Sequence, residues 1–300
     1  GELDLARDDY ARAMAEDPHL LAVHKSIRNL ALNTPGISPE KLFEIYRTSA
    51  SHFRQTAVQS ENFLNHERDT GRRLRIGYVS SDLGIHVVGL NILPLMENHD
   101  RSAVDLFFYS DLVDEDEVTA RFKAVATGWR PVSHLDDAAV AQMIRGDGID
   151  IAVFLAGTFD ANRCYLAAHS VAPVQVSFHD CATSGLDEMS YFLSDGILTP
   201  PDTTERFSEN IYRLPVFYQY MRLDRSNPIV PPPMLATGYV TFASFNKPEK
   251  INNAVIALWA RVLKAVPQSR LLLKYFEFYR GSETQSRIVS QFAEHDIRLD

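Results

Sequence analysis

The sequence predicts an α/β protein in which a helical segment precedes one parallel-sheet lobe and the opening of a second. Three observations carry this. Apolar residues recur at helical spacing over the first seventy positions. From Leu74 to Leu214, short apolar strands alternate with helical stretches, the pattern of a parallel sheet covered on both faces. After a proline-rich stretch the alternation restarts at Tyr239. The chain has 300 residues, 45% hydrophobic and 10% aromatic, enough to bury real cores. That length suits about two domains. With 30 basic against 39 acidic residues the net charge is -9, which argues against a chain built to coat nucleic acid. Fourteen glycines exclude a glycine-rich low-complexity chain.

The elements follow in order. Leu3, Ala6, Tyr10, Ala13 and Met14 line one helical face, and Asp17-Pro18 ends the run. Gly1, Ala6, Tyr10, Ala13 and Pro18 match the second half of a tetratricopeptide repeat, so residues 1–70 are expected to end a repeat array. A second helix is expected at about 19–33. A third, at about 39–57, has Ser38 as N-cap and Pro39 at its first position. Then come strand Leu74–Ser80, helix 88–99, strand Val104–Ser110, helix 115–127, strand 129–132, helix 136–146 and strand Ile149–Leu155. Helix 160–169 and strands Val174–Phe178, 191–194 and Ile211–Leu214 complete a lobe over 71–227. Pro228–Pro233 reads as a stiff linker, taken as 228–237. Strand Tyr239–Phe245, helix Asn252–Ala265, strand Arg270–Lys274 and helix Glu283–His295 open a second lobe over 238–300. The chain starts at Gly1 rather than Met and stops at Asp300 just after a helix, so a fragment is expected.

Ligands of such sheets bind at the carboxyl ends of strands. Those ends carry Ser80-Ser81-Asp82, Ala156-Gly157-Thr158 and His179-Asp180. In the first loop, running to His86, that histidine is a candidate general base or hydrogen-bond donor, or a satisfied structural residue. Asn246-Lys247-Pro248-Glu249-Lys250 follows a strand and precedes a helix. A lysine at a helix N-terminus is disfavoured unless an anion sits there, and a diphosphate would satisfy both. The third stretch, Phe178 to Gly185, holds a His, an Asp, a Cys and hydroxyls. Its His and Cys are too near in sequence to suggest a nucleophile pair with a third orienting group. The acidic run Asp111 to Glu117 reads as a solvated helix start rather than a metal site. The two cysteines, Cys164 and Cys181, fit reduced thiols. No dinucleotide fingerprint, phosphate loop or zinc-protease motif occurs. No stretch approaches the ~18 apolar residues of a membrane helix, and the first twenty residues are acidic and amphipathic, so no membrane partner and a cytoplasmic setting are expected.

Leu74-Arg-Ile-Gly-Tyr-Val-Ser-Ser-Asp82 with His86 resembles the opening of the catalytic region of O-GlcNAc transferases and their SPINDLY-type relatives. So do Asp147 to Asp150, Ala172 to Val176, Thr183-Ser184-Gly185, Arg213-Leu214-Pro215, Val240 to Asn246 with Lys250-Ile251, and Leu258 to Arg270. The motifs keep their order over 74–300, and the family sets tetratricopeptide repeats before them. The resemblance implies a GT-B-type architecture, a Rossmann-like N-lobe plus the start of a second Rossmann-like lobe. It implies metal-free transfer of a sugar, GlcNAc by the family pattern, from a UDP-sugar to Ser or Thr of proteins. By motif, His86 corresponds to the family histidine beside acceptor and sugar, and Lys250 to the lysine that neutralises the donor diphosphate. Asp82, Thr158, His179, Thr183, Ser184, Asn246 and Lys247 are the expected substrate-binding residues, with no cofactor. Acceptor proteins would bind through the repeats and the cleft.

The chain also departs from the family pattern. Thr158 stands where bacterial relatives carry a histidine, and Phe178 to Ala182 replaces a Trp-Leu-Gly-Tyr-Pro-Gly stretch. His179 is the residue that could replace the lost imidazole in space. Further donor-site motifs of the family lie beyond Asp300, so the fragment itself is expected to be inactive. A repeat-bearing scaffold with a degenerate transferase domain is the alternative, and a transferase using another UDP-hexose is a third.

Overall fold

The structure, a computed structural model, describes residues 2–58, 71–218 and 228–298. The chain divides into two compact units, Gly1–Arg222 and Leu223–Asp300. The first opens with helices α1 (Glu2–Glu16), α2 (Leu21–Leu32) and α3 (Pro39–Thr56). As the sequence predicts, the Ser38 hydroxyl caps α3 by accepting the Lys41 N–H, with Pro39 at the first position.

Seven parallel strands follow: β1 (Leu74–Ser80), β2 (Val104–Ser110), β3 (Gly128–Pro131), β4 (Ile151–Leu155), β5 (Val174–Phe178), β6 (Tyr191–Asp195) and β7 (Asn210–Leu214). Their spatial order is β3-β2-β1-β4-β5-β6-β7. β1 and β2 pair along their whole length, from Leu74 opposite Val104 to Ser80 opposite Ser110. Helices α4 (Val87–Glu97), α5 (Glu117–Val125) and α6 (Asp137–Gly146) make the crossovers. On one face Tyr78, Leu106, Phe108, Val153 and Val176 meet Ile92, Met96 and Phe122 of α4 and α5. On the other, Val79, Tyr109, Ala152 and Phe154 meet Val140 and Ile144 of α6 together with Ala50 of α3. The alternation along each strand thus feeds two cores, as expected of a buried parallel sheet.

The expected helix over 160–169 is shorter. Only Cys164–His169 forms a helical turn, of 3-10 type, and its residues are all buried. Ala156, Gly157 and Asp160 have positive φ, and Asn162 is tied to the loop after β1, so the chain cannot enter a helix before Cys164. The space a full crossover helix would cover is filled by α3, whose Phe53 ring stacks on Tyr165 at 4.1 Å. The acidic run is also put to local use: Asp116 caps α5, and Asp111 is buried against Arg163 at 2.8 Å.

In the second unit, residues 228–233 form no helix or strand, and a single turn α7 (Met234–Thr237) follows. Strands β8 (Thr241–Ser244) and β9 (Arg270–Leu273) pair in parallel. Helices α8 (Asn253–Ala265) and α9 (Ser282–Ala293) share a small core of Ile251, Ile256, Ala260, Ile288 and Phe292.

Asp150, at the amino end of β4, accepts from both Arg72 guanidinium nitrogens at 2.7 and 2.6 Å and from the Arg75 N–H at 2.7 Å. Removing a shielded carboxylate with this geometry takes one acceptor group from three N–H donors. Asp150→Ala is expected to lose about 2–4 kcal/mol in urea unfolding. A loss below about 0.5 kcal/mol, the range of neutral surface changes, would contradict this account of the edge.

Candidate active site

The strand order reverses between β1 and β4, since β1 leads outward to β2 and β3 while β4 leads to β5. A sheet that winds both ways leaves a crevice there, at the carboxyl ends. Asn162, from the loop after β4, ties the two sides together. Its Oδ1 accepts from the Ser80 hydroxyl and the Ser81 N–H, both at 2.9 Å, and its Nδ2 donates to Asp82 Oδ2 at 2.8 Å. The Ser81 hydroxyl donates to Asp82 Oδ1 at 2.8 Å. Ser80, Asp82 and Asn162 are all buried, so this polar group is a fixed frame.

His86 stands on that frame. It is the N-cap of α4, where Nδ1 accepts the Val88 N–H at 3.3 Å. Nδ1 lies 3.5 Å from Asp82 Oδ2, and Nε2 lies 3.6 Å from Asp160 Oδ2. These are longer than hydrogen bonds, and the side chain is 40% exposed, so the imidazole can turn to meet a substrate. With a proton on Nε2, Nδ1 keeps its cap. With the proton on Nδ1, Asp82 faces it and Nε2 becomes a base. The donor atoms of Asp82, His86 and Asp160 lie within 4.8 Å of one another, a spacing that would also admit a cation, although Asp82 is already held by Ser81 and Asn162.

The neighbouring strand end brings His179 and Asp180. Gly157 has a φ of +57° and could not carry a Cβ: it would fall 2.0 Å from Asp180 Oδ2, so the carboxyl group rests on the glycine. Asp180 Oδ1 accepts the Cys181 N–H at 2.8 Å. Oδ2 accepts no hydrogen bond among the described residues. Burial pushes this carboxyl up to about 6. His179 lies against Phe178 and Phe217, with ring centroids at 4.4 and 4.8 Å, and burial holds it down to about 4. At neutral pH it is an uncharged ring. Thr158 is half-buried beside Gly157.

Thr183 and Ser184 lie in the loop after β5, and Thr183 borders a cavity of about 290 Å³. Both are buried. The Thr183 hydroxyl donates to Glu209 Oε2 at 2.7 Å, the Ser184 N–H donates to Oε1 at 2.7 Å, and the Ser184 hydroxyl accepts the Leu186 N–H. Their loop reaches the carboxyl edge, and these bonds to a buried carboxylate hold it there.

In the second unit Asn246, Lys247 and Lys250 are exposed on the loop after β8. Lys250 closes a 3-10 turn, Pro248–Lys250, just ahead of α8, which Asn252 caps by accepting the Val255 N–H at 3.1 Å. The Tyr279 hydroxyl braces the loop by donating to the Asn246 carbonyl at 3.2 Å. Sequence reasoning missed Asp160, Asn162 and Glu209, which come from later loops. The one signal available, for Asp160 and Asn162, was their type in the loop that follows Gly157.

A family model described as "Glycosyl transferase family 41" matches residues 52–221. The probable UDP-N-acetylglucosamine–peptide N-acetylglucosaminyltransferase SPINDLY of Petunia hybrida is 36% identical over 271 residues, 88% of this chain and 29% of its own length. The chain belongs to glycosyl transferase family 41. The probable peptide N-acetylglucosaminyltransferase SEC of Arabidopsis thaliana, 31% identical, covers 68% of the chain and 22% of its own length. A solved structure of a Thermobaculum terrenum O-GlcNAc transferase point mutant is 29% identical with a TM-score of 0.86, covering 99% of this chain and 56% of that one. This family 41 chain therefore spans under a third of the curated relatives' length, and its fold class is the GT-B type with preceding helices.

His179 and Asp180 make opposite contributions to stability with pH. Asp180's folded value, about 6 against an ordinary 3.8, lies above its unfolded one, so its stabilisation is full at low pH and is lost as pH rises through 6. His179's folded value, about 4 against 6.5, lies below, so stability is lost as pH falls from 6.5 towards 4. Asp180→Asn removes the first effect and leaves the second. Relative to the parent, the variant is expected to lose about 2 kcal/mol between pH 7 and 4.5 in urea titrations. A pH-independent difference would contradict the burial of the carboxyl group.

Proposed function

We propose that this chain is part of a protein glycosyltransferase that moves a sugar, GlcNAc in the first instance, from a UDP-sugar to Ser or Thr hydroxyls. The observation that carries the reading is His86, part-exposed between Asp82 and Asp160, at the reversal point of the sheet in a family 41 chain. In an inverting displacement the acceptor oxygen forms a bond to the anomeric carbon as the bond to the diphosphate oxygen breaks. The hydroxyl proton passes to a base and the electron pair leaves with UDP. His86 Nε2 suits the first task once Nδ1–H turns to Asp82. Lys250 suits the second, since leaving-group charge needs a cation and α8 adds its N-terminal field. Asn246 and Lys247, exposed on the same loop, would hold the nucleotide. Asp82 and Thr158 would border the acceptor. No metal or other cofactor is part of this reading. Acceptor proteins would engage the helices and the carboxyl edge, in a cytoplasmic setting.

The departures at Thr158 and 178–182 favour the rival reading, a scaffold with a degenerate transferase domain, and donor binding separates the two. Calorimetric titration of UDP should show binding that Lys250→Ala weakens by about tenfold or more, the worth of a charge-assisted contact. His86→Ala should leave UDP affinity within about twofold yet cut sugar transfer by the natural gene product by about 100-fold, as loss of a general base does. Failure of UDP to bind would favour the scaffold. Unchanged transfer after His86→Ala would remove the histidine from the mechanism.

A further inference from the structure

At the carboxyl ends of β5 and β6 lies a cavity of about 220 Å³. This is smaller than the ~300–1,000 Å³ of small-molecule sites, and it suits one side chain rather than a sugar nucleotide. Its walls are aromatic. Phe192 faces Phe207 with centroids 4.8 Å apart, and His179 lies 4.8 Å from Phe217. Two carboxylates, Asp180 and Glu205, complete the lining, and no lysine or arginine is among the residues that form it. Asp180 Oδ2 is buried and accepts no hydrogen bond among the described residues, an arrangement that calls for an explanation in a native fold. The charge of the buried Arg28 acts on Asp180, but its hydrogen bonds go to the Tyr165 hydroxyl and the Thr183 carbonyl and its face to Tyr46, so it does not bond the carboxyl group.

We propose that this cavity receives a guanidinium, the side chain of an arginine in the acceptor polypeptide. A planar cation can stack on aromatic faces and direct N–H groups at carboxylates, and an arginine does both at once. Two carboxylates would repel the donor diphosphate, so the cavity is not a donor subsite. A polypeptide is the carrier because the cavity adjoins a second one of about 290 Å³. The two share Cys181, Glu205 and Phe207, and the second is walled by Leu32, Ile37, Leu42 and Phe43 of the α2–α3 hairpin, with Arg206 lying on the Phe43 ring. An acidic, aromatic cavity beside an apolar one matches a segment with an arginine next to apolar residues.

The proposal rests on the transferase reading for its carrier, but the test reads binding and not turnover. Two serine-containing peptides, identical except for arginine against citrulline, are titrated calorimetrically into the protein. Citrulline keeps the shape and removes the charge. The arginine peptide is expected to bind at least about tenfold more tightly, the scale of a charge-assisted contact with ring stacking. Asp180→Asn and Glu205→Gln should each remove most of that preference. Glu205 is exposed, so its variant keeps the test open if the Asp180 variant fails to fold. Equal affinities, no binding of either peptide at millimolar concentration, or an arginine preference that survives Glu205→Gln would overturn the proposal. Loss of UDP binding with the arginine preference intact would count against the transferase reading alone.

Discussion

Arg28 is fully buried at the junction of the helices and the sheet lobe, and the site loops depend on it. A guanidinium taken out of water costs several kcal/mol unless its surroundings replace the lost solvation. Here the Tyr46 ring lies 3.9 Å beneath it, Nη1 donates to the Tyr165 hydroxyl at 2.9 Å, and Nη2 donates to the Thr183 carbonyl at 3.3 Å. The last contact fixes the loop after β5 from outside the sheet. Two more cations of the helical segment act alike. Lys25 donates to the Asp160 carbonyl at 2.6 Å, and Arg47 donates to the Gly185 carbonyl at 3.2 Å. Gly185, at φ +81°, lets the Tyr46 backbone come so close that a Cβ would sit 2.5 Å from its carbonyl oxygen.

The carboxyl edge is therefore built from both sides. From within, Asn162 locks the loops after β1 and β4, and Glu209 locks the loop after β5. From outside, the helices grip the same loops by their backbone carbonyls. Buried polar contacts of this kind give rigidity, and rigidity is what a site needs to hold a base within reach of one hydroxyl. Against that frame the His86 and Asp160 side chains are exposed to solvent and to a substrate. The helical segment is then a structural part of the sheet lobe.

The strands were legible because their chemistry is local. Leu74–Ser80, Val104–Ser110 and Val174–Phe178 are apolar runs ending in small or polar residues or at a turn, and the structure places strands at those bounds. The segment 160–169 misled because Leu166, Ala167 and Ala168 read as a helix face, whereas Asn162 holds the preceding chain in a loop. Thr183 and Ser184 read as site hydroxyls because the residue that claims them, Glu209, comes from the following strand edge. Arg28 gave no signal at all. An arginine inside a helix reads as a solvated face, and only the tertiary fold places two tyrosines around it. What the sequence conceals in each case is a contact between residues distant along the chain.

The central claim, that the helices hold the site loops through Arg28, is tested most directly by amide hydrogen exchange. Arg28→Met keeps the bulk of the side chain and removes its charge and donors. If the account holds, amides of residues 183–186 exchange at least about tenfold faster in the variant, since local opening follows the loss of roughly one charge-assisted bond. Sheet amides such as Val153 and Val176 stay protected. Unchanged exchange over 183–186, in a variant whose sheet remains protected, would contradict it.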